Sequence, residues 1–393
     1  MKTARLFTLS ALVWATSSLS HAAPILEKTD LFPAGMNGVA LYRIPGIVVT
    51  PTGAVLVYCE ARKNSRSDWG EIEIHLRRSP DVGKTWEPAR QIAHFDERIE
   101  GNPRKPNGGE HEQTVNNPVA IVDRETGAIE FLYCVNYARC FSMRSKDDGK
   151  TFSKPVEITS AFEPFRKDYD WKVIATGPGH GVQLKNGRLV VPIWLACGKT
   201  GDHGPAASGT IYSDDHGRTW QASAIAVHNK GEFNSPNETM IAELSDGGVM
   251  LITRSLSKAS RKIVTTSPNG AGDWSKPRFH PDLWEPVCMA SILAVPDRPG
   301  TMLFSNPHTL ARDKSGKPIP GGRGKRRNLS IKLSGDDGKT WPISKTLESG
   351  PSAYSDLAAL PDGEILCFYE GDKRLTLARF NLEWLEAKAE PTK

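Results

Sequence analysis

One eight-residue motif recurs along this chain and constrains its fold more than any other feature. It reads SPDVGKTW from Ser79, SKDDGKTF from Ser145, SDDHGRTW from Ser213 and SGDDGKTW from Ser334, with a degraded copy, SPNGAGDW, from Ser267. The intervals are 66, 68, 54 and 67 residues. Self-similarity at a near-fixed period marks a repeat architecture, in which each unit buries its apolar face only by stacking on neighbours. A second series runs alongside. Gly turns leading into apolar runs stand at Gly53, Gly127, Gly187, Gly247, Gly300 and Gly363. Each reads as a two-strand hairpin, and each of the first five is followed by one copy of the motif. Both series predict an all-β chain, a six-bladed β-propeller with about four antiparallel strands per blade. The last blade is expected to borrow a strand from the N-terminal segment and so close the ring.

Composition narrows the class. The 393 residues carry 50 basic and 45 acidic side chains, a formal net charge of +5. That near-balance argues against a nucleic-acid partner, whose phosphates call for a dense basic surface. Lys2 and Arg5 precede an apolar run from Leu6 to Ala15, and Ser20-His21-Ala22 offers small residues at a cleavage site. This reads as a signal peptide over residues 1–22, followed by one propeller domain over 23–393. No other apolar stretch approaches the ~18 residues of a membrane span. The expectation is an exported monomer, periplasmic or secreted. The six cysteines form no CxxC pair and sit mostly in strand-like runs, so they read as small buried hydrophobes. Cys134 and Cys140, flanking a possible turn, leave a disulfide open.

Three other features invite sharper readings. The repeated motif alternates acids around a glycine, as calcium loops do. Such a loop needs a Glu eleven residues after its first Asp, and the residues there are Ile92, Ile158, Ala226 and Leu347. The motif is therefore read as a turn in which Asp caps backbone amides, Gly takes a left-handed conformation and Trp or Phe packs between strands. GPGHG at Gly177–Gly181 resembles a phosphate loop, but no helix follows it. The basic stretch from Lys314 to Arg327 reads as a solvated loop. No motif calls for a metal or a cofactor.

Hairpin geometry then gathers polar residues. If the Gly turns lie at one face, residues about nine before and seven after each Gly lie together at the other. Arg43 and Glu60 flank Gly53 in this way, Glu238 and Arg254 flank Gly247, and Tyr354 and Glu370 flank Gly363. The third strands of two blades begin just after Asp68 and Arg326. Three arginines, four acids and a tyrosine thus converge at one mouth. Convergent guanidiniums suit a carboxylate. Asp68 is placed to act as a general acid, and Glu238 as a base for Tyr354. A phenol suits attack on a centre already bearing a negative group, because it approaches neutral and loses its proton late.

These residues fall in an order that resembles the bacterial exo-α-sialidase (neuraminidase) family with Asp-box repeats, over nearly the whole chain from about residue 29 to 385. YRIPG from Tyr42 is similar to that family's first-arginine segment, and SRSDWGEIEIHLRRSPDVGKTW to its acid-bearing stretch. NETMIAELSDGGVMLITRS resembles the segment with its Glu and second Arg, RRNLSIKLSGDDGKTW the one with its third Arg, and AYSDLAALPDGEILCFYEGD the one with its Tyr and a late Glu.

The resemblance implies Arg43, Arg254 and Arg326 as a carboxylate-binding triad. It implies Asp68 as acid/base, Tyr354 as nucleophile, Glu238 as its proton acceptor and Glu370 as the anchor of Arg43. Arg326 is preferred to Arg327 because Leu329 falls where the family has an apolar strand residue. Glu243 shares a segment with Glu238, but strand alternation points it to the other face. Glu60 and Arg62 are read as supporting residues, with Asn117, Trp69, Tyr58 and Trp284 as candidate pocket walls. The implied activity is retaining hydrolysis of terminal α-linked sialic acids on glycans, glycoproteins or gangliosides. The alternatives are a trans-sialidase, a hydrolase of a related nonulosonic acid, or a non-catalytic sugar-binding propeller.

Overall fold

The computed structural model describes residues 22–64, 67–95, 99, 112–198 and 202–387. Residues 1–21, most of the segment read as an export signal, lie outside them. The described residues form six antiparallel-ladder sheets, the blades of a six-bladed propeller. Blade 1 runs outward through Leu41–Val49, Val55–Arg62, Ile72–Ser79 and Arg90–Ala93. The inner hairpins of the other blades begin at Val115, Val182, Thr239, Ser291 and Ser355. All six Gly turns join an innermost strand to the second. Gly53 and Gly363 sit there at φ +86° and +88°, a conformation that costs a side-chain-bearing residue but not glycine. In blade 6 the outermost strand is Leu26–Pro33, paired antiparallel with Arg374–Phe380. The N-terminal segment therefore closes the ring, as expected.

The repeated motif is a turn stapled by its own side chains. In the first copy the Ser79 hydroxyl donates to Asp81 Oδ1 at 2.8 Å and accepts from Gly83 N at 2.9 Å. Thr85 donates its amide to Asp81 Oδ1 and its hydroxyl to Oδ2, each at 2.8 Å. The copies at Asp147, Asp215 and Asp336 repeat the set. Val82 N donates to Gly53 O at 3.2 Å and Asp337 N to Gly300 O at 2.9 Å. The motif and the Gly turn of a blade thus share one face. Trp220 and Trp341 of the motif are buried between sheets.

The GPGHG segment crosses the propeller axis. Gly179 and His180 add a short parallel strand beside Val119 and Ala120 of blade 2. Gly179 O accepts from Tyr58 Oη of blade 1 at 2.7 Å. Gly177 N donates to Pro192 O of blade 3, and Gly177 O accepts from Thr239 N of blade 4. Gly179 sits at φ +108°, where a side chain is strained, and a Cβ there would also press on Met240 Sδ at 2.9 Å. His180 Nδ1 lies 2.8 Å from Asp356 Oδ1 of blade 6. The segment thus bonds to five of the six blades. Tyr58 is a strut for it and is not a pocket wall. Cys134 and Cys140 face each other across adjacent strands, but both are free and buried.

The stapled turns carry a pH signature. Thr85, through its amide and then its hydroxyl, is the main cause holding the Asp81 carboxyl down to about 2, and Thr151 is the main cause doing the same for Asp147. A carboxyl depressed in the folded state stabilises above its unfolded pKa, and the contribution is lost as pH falls through the folded value. The melting temperature should therefore drop between about pH 3.8 and pH 2. An Asp81→Asn/Asp147→Asn variant should start lower at pH 7 and lose less across that window. Equal losses in variant and parent, measured by calorimetry, would show that these turns do not carry the acid sensitivity.

Candidate active site

The sequence arithmetic has a simple structural origin. Arg43 and Glu60 are direct cross-strand partners. Arg254 N donates to Glu238 O at 2.9 Å, and Glu370 N to Tyr354 O at 2.8 Å. Three inner hairpins each present one opposed pair at the same end, away from the Gly turns. A cavity of about 630 Å³ opens there, lined by Arg43, Arg62, Asp68, Glu238, Arg254, Arg326 and Tyr354, among others. Glu60 and Glu370 stand behind its wall.

Arg43, Arg62, Arg254 and Arg326 are each held by a carboxylate or a carbonyl. Glu370 grips Arg43 with both oxygens, Nε to Oε1 and Nη2 to Oε2 at 3.1 Å each, and also accepts from Ile44 N at 3.0 Å. Burial opposes charge on both partners, yet their attraction prevails: the Glu370 carboxyl sits below its ordinary range and Arg43 above its own. Arg62, 1% exposed, donates Nε and Nη2 to Glu60 Oε2 at 3.0 and 2.7 Å. Its Nη1 lies 2.8 Å from Asp68 Oδ1. Glu60 Oε1 accepts from Asn117 N at 3.0 Å. Arg326 donates Nη2 to Val287 O at 2.9 Å. Arg327 points outward, exposed, with Nη2 3.3 Å from Ser349 O. Glu243 lies at the opposite end of its strand, accepting from Lys185 N at 2.7 Å.

Tyr354 occupies the floor and is 4% exposed. Its hydroxyl donates to Glu238 Oε1 at 2.5 Å and accepts from Arg254 Nη1 at 2.7 Å. Arg254 also pairs with Glu238 Oε2. The guanidiniums of Arg43 and Arg326 each sit 5.2 Å from the ring centroid. Burial is the main force raising the phenol's pKa far above 10, with Arg254 opposing and Glu238 assisting. At rest the phenol is neutral, with an acceptor already in place for its proton. Asp68 differs. Its side chain is 46% exposed. What burial it has works to raise its pKa, but Arg62, Arg43 and His203 outweigh that, so the carboxyl lies below 3.8 and is ionised at rest.

Several pocket residues were not legible in the sequence. Tyr137, Trp194 and His203, from blades 2 and 3, form an aromatic wall. His203 lies 4.5 Å from the Tyr137 ring and stacks on Trp69 at 5.1 Å. Asn117 lines the cavity as expected, and Trp69 backs it. Trp284 does not line it and stacks instead on His308 at 4.1 Å. The lining also includes Arg323 and Gly324 from the basic stretch read as solvated. Apart from the pocket, Glu71, Glu73 and His94 approach one another with ligand-like spacing among the described residues. Glu73 there engages His75 at 2.9 Å and Lys63 at 3.5 Å.

Comparison with known proteins gives the chain's relatives. A family model described as a BNR repeat-like domain matches residues 57–367. A sialidase of Micromonospora viridifaciens is 31% identical over 392 residues, covering 92% of this chain and 55% of that protein. A sialidase of Bacteroides fragilis (strain YCH46) is 31% identical over 366 residues, covering 86% of this chain and 61% of its own. The chain thus spans between half and two thirds of these relatives' length. Among solved structures, Hadza microbial sialidase Hz136 aligns with a TM-score of 0.74 at 29% identity, over 91% of this chain and 69% of that one. An intramolecular trans-sialidase from Ruminococcus gnavus, 17% identical with a TM-score of 0.71 over 92% of this chain and 99% of its own, shares the fold. This chain belongs to the BNR repeat-like domain family.

Proposed function

We propose that this protein is an exported exo-α-sialidase that removes terminal α-linked sialic acids with retention, through a covalent tyrosyl intermediate. The observation that carries the reading is the Tyr354 phenol, bonded to Glu238 and Arg254 beneath three guanidiniums. A glycosidase whose substrate bears a carboxylate beside the anomeric carbon needs a cationic receptor and a nucleophile that is not itself an anion. Arg43, Arg254 and Arg326 serve as that receptor. As the bond from the anomeric carbon to the aglycone oxygen breaks, Tyr354 Oη bonds to that carbon and its proton passes to Glu238. Asp68 gives a proton to the leaving oxygen. In the second step Asp68 takes a proton from water, the water oxygen replaces Tyr354 Oη, and Glu238 returns the phenolic proton. Asp68 is ionised at rest. A sugar seated over its exposed side excludes water and raises its affinity for the proton it must deliver.

The receptor is tested by substitution. Arg43→Ala, Arg254→Ala and Arg326→Ala should each lower kcat/KM about ten- to hundredfold, since a hydrogen bond to a charged group contributes roughly 1.5–3 kcal/mol. Arg327→Ala should change it little. The reverse order at 326 and 327 would reject the assigned third arginine.

Tyr354→Phe keeps the ring and the receptor but removes the nucleophile. It should still bind an unsaturated sialic acid analogue while kcat falls by roughly three orders of magnitude or more. A 2,3-difluoro sialic acid should label the peptide holding Tyr354 in the parent protein. Labelling at Asp68 or Glu238 would overturn the nucleophile, and inertness toward all sialosides would overturn the activity.

The pH profile of kcat/KM reports the free protein. With the Asp68 carboxyl below 3.8, its protonated fraction falls about tenfold per unit as pH rises above that range. Natural sialosides, which need the proton, should lose kcat/KM from about pH 4 towards pH 7. An aryl sialoside with a good leaving group should lose much less. Parallel profiles for the two substrates would remove Asp68 from the acid role.

A further inference from the structure

The segment between the second and third strands of blade 5, Met302–Pro307 and Arg327–Ser334, holds the chain's one concentration of like charge. From Thr309 to Arg327 there are seven basic residues and one acid, Asp313. That is +6 in a chain whose total is +5, so everything outside the segment sums to −1. The acid does not neutralise its neighbours. Asp313 Oδ1 accepts from Ser315 N at 2.8 Å and Lys317 N at 2.9 Å, closing its own turn.

The segment has a fixed course. Gly321 N donates to Ser260 Oγ of blade 4 at 3.0 Å. Gly324 N donates to Pro286 O at 3.2 Å. Thr309 Oγ1 donates to Lys325 O at 2.5 Å. These bonds bring Arg323 and Gly324 to the wall of the pocket beside Arg326. The two pocket arginines of this segment differ in kind. Arg326 faces inward, over the Tyr354 ring and tied to Val287 O. Arg323 is exposed at the rim, and its guanidinium makes no hydrogen bond or ion pair among the described residues.

We propose that Arg323 is a specificity determinant that recognises a second anionic group on the aglycone, beyond the scissile bond. The inference rests on the sialidase reading above. In that reading Arg43, Arg254 and Arg326 consume the carboxylate of the sugar being released. The aglycone then leaves through the open mouth, where Arg323 stands. A planar guanidinium with all its donors free matches a carboxylate or a sulfate. The shared chemistry is an anion on the next residue: the carboxylate of an internal sialic acid, or a sulfate ester on a neutral sugar. Exposure makes the contribution modest and salt-sensitive.

The test is a ratio of kcat/KM values, anionic over neutral aglycone, measured with an α2,8-linked disialyl substrate, a sulfated sialyl-lactosamine and sialyllactose. The parent protein should prefer at least one anionic substrate by about three- to tenfold at low salt, and lose the preference as ionic strength rises. Arg323→Ala should bring the ratio close to one, and Arg323→Lys should retain part of it. Lys314→Ala, which removes the same charge from the outer turn of the loop, should leave the ratio unaltered. Preference for the disialyl substrate alone assigns the site to a carboxylate, and preference for the sulfated one alone to a sulfate ester. A parent ratio of one, or a ratio indifferent to Arg323→Ala, overturns the proposal. So does an equal loss in Lys314→Ala, which would assign the effect to the loop's overall field. Failure to cleave all three substrates would instead overturn the sialidase reading, and this inference with it.

Discussion

The buried carboxylate of Asp356 ties the ring together at its axis. It is 0% exposed, and a charge so placed is tolerated only when its oxygens are satisfied. Ile47 N of blade 1 donates to Oδ2 at 3.0 Å, while Ser291 Oγ of blade 5 and His180 of the axial segment each lie 2.8 Å from Oδ1. Burial lowers the proton affinity of His180, but Asp356 outweighs that, and the net shift is upward. A propeller otherwise leaves its centre lined with innermost strands whose outer edges pair only within their own blade. The GPGHG segment fills that space and bonds to five of the six blades, while Ser291 of blade 5 bonds to Asp356 beside it. The site depends on this. Asp356 lies two residues beyond Tyr354, Thr239 follows Glu238, and Ile47 lies four residues beyond Arg43. Each of these three neighbours is bonded to the axial segment or to Asp356.

Five guanidiniums line one cavity; Arg323 stands exposed at the rim, and the mutual repulsion of the inner four is met locally. Glu370 holds Arg43, Glu60 and Asp68 hold Arg62, and Glu238 holds Arg254. Arg326 has only a carbonyl. The inner part of the cavity is thus close to neutral until an anion enters, and the rigid pairs keep the forks aimed without it. Backbone strain gathers at the same place. Ile44, Asn117 and Val287 line the cavity at φ 57°, 52° and 63°. Left-handed backbone is costly for β-branched residues in particular, and it persists where packing over-determines it. At Arg43 and Asn116 the strain accompanies breaks in strand register, which turn a side chain out of the ladder and into the pocket.

Much of this was legible from periodicity. A hairpin with a short Gly turn has a fixed register, so residues equidistant from the turn become partners across it. That is why Arg43 and Glu60, Glu238 and Arg254, and Tyr354 and Glu370 were found by counting from Gly53, Gly247 and Gly363. The aromatic wall was not found this way. Tyr137 follows a strand, and His203 lies in a connection, where no register links position to place. Tyr58 and Trp284 were misplaced for a related reason: an aromatic residue in a strand is more often packed in a core than turned to a cavity.

The amino-acid sequence alone determined the blade count, the turn chemistry of the repeated motif, the closure by the N-terminal strand, and the hairpin ends that carry charge. Those properties are local, set by glycine conformation, strand alternation and side-chain bonds within a few residues. Tertiary structure decided the rest, because it depends on which distant segments meet. Only the assembled ring turns GPGHG into an axial plug against Asp356. Only there does the phenol of Tyr354 meet Glu238, 116 residues away. Only there does a basic loop, solvated over most of its length, bring Arg323 to the rim of the pocket. Sequence spacing carries no information about contacts between blades, and those contacts build the site.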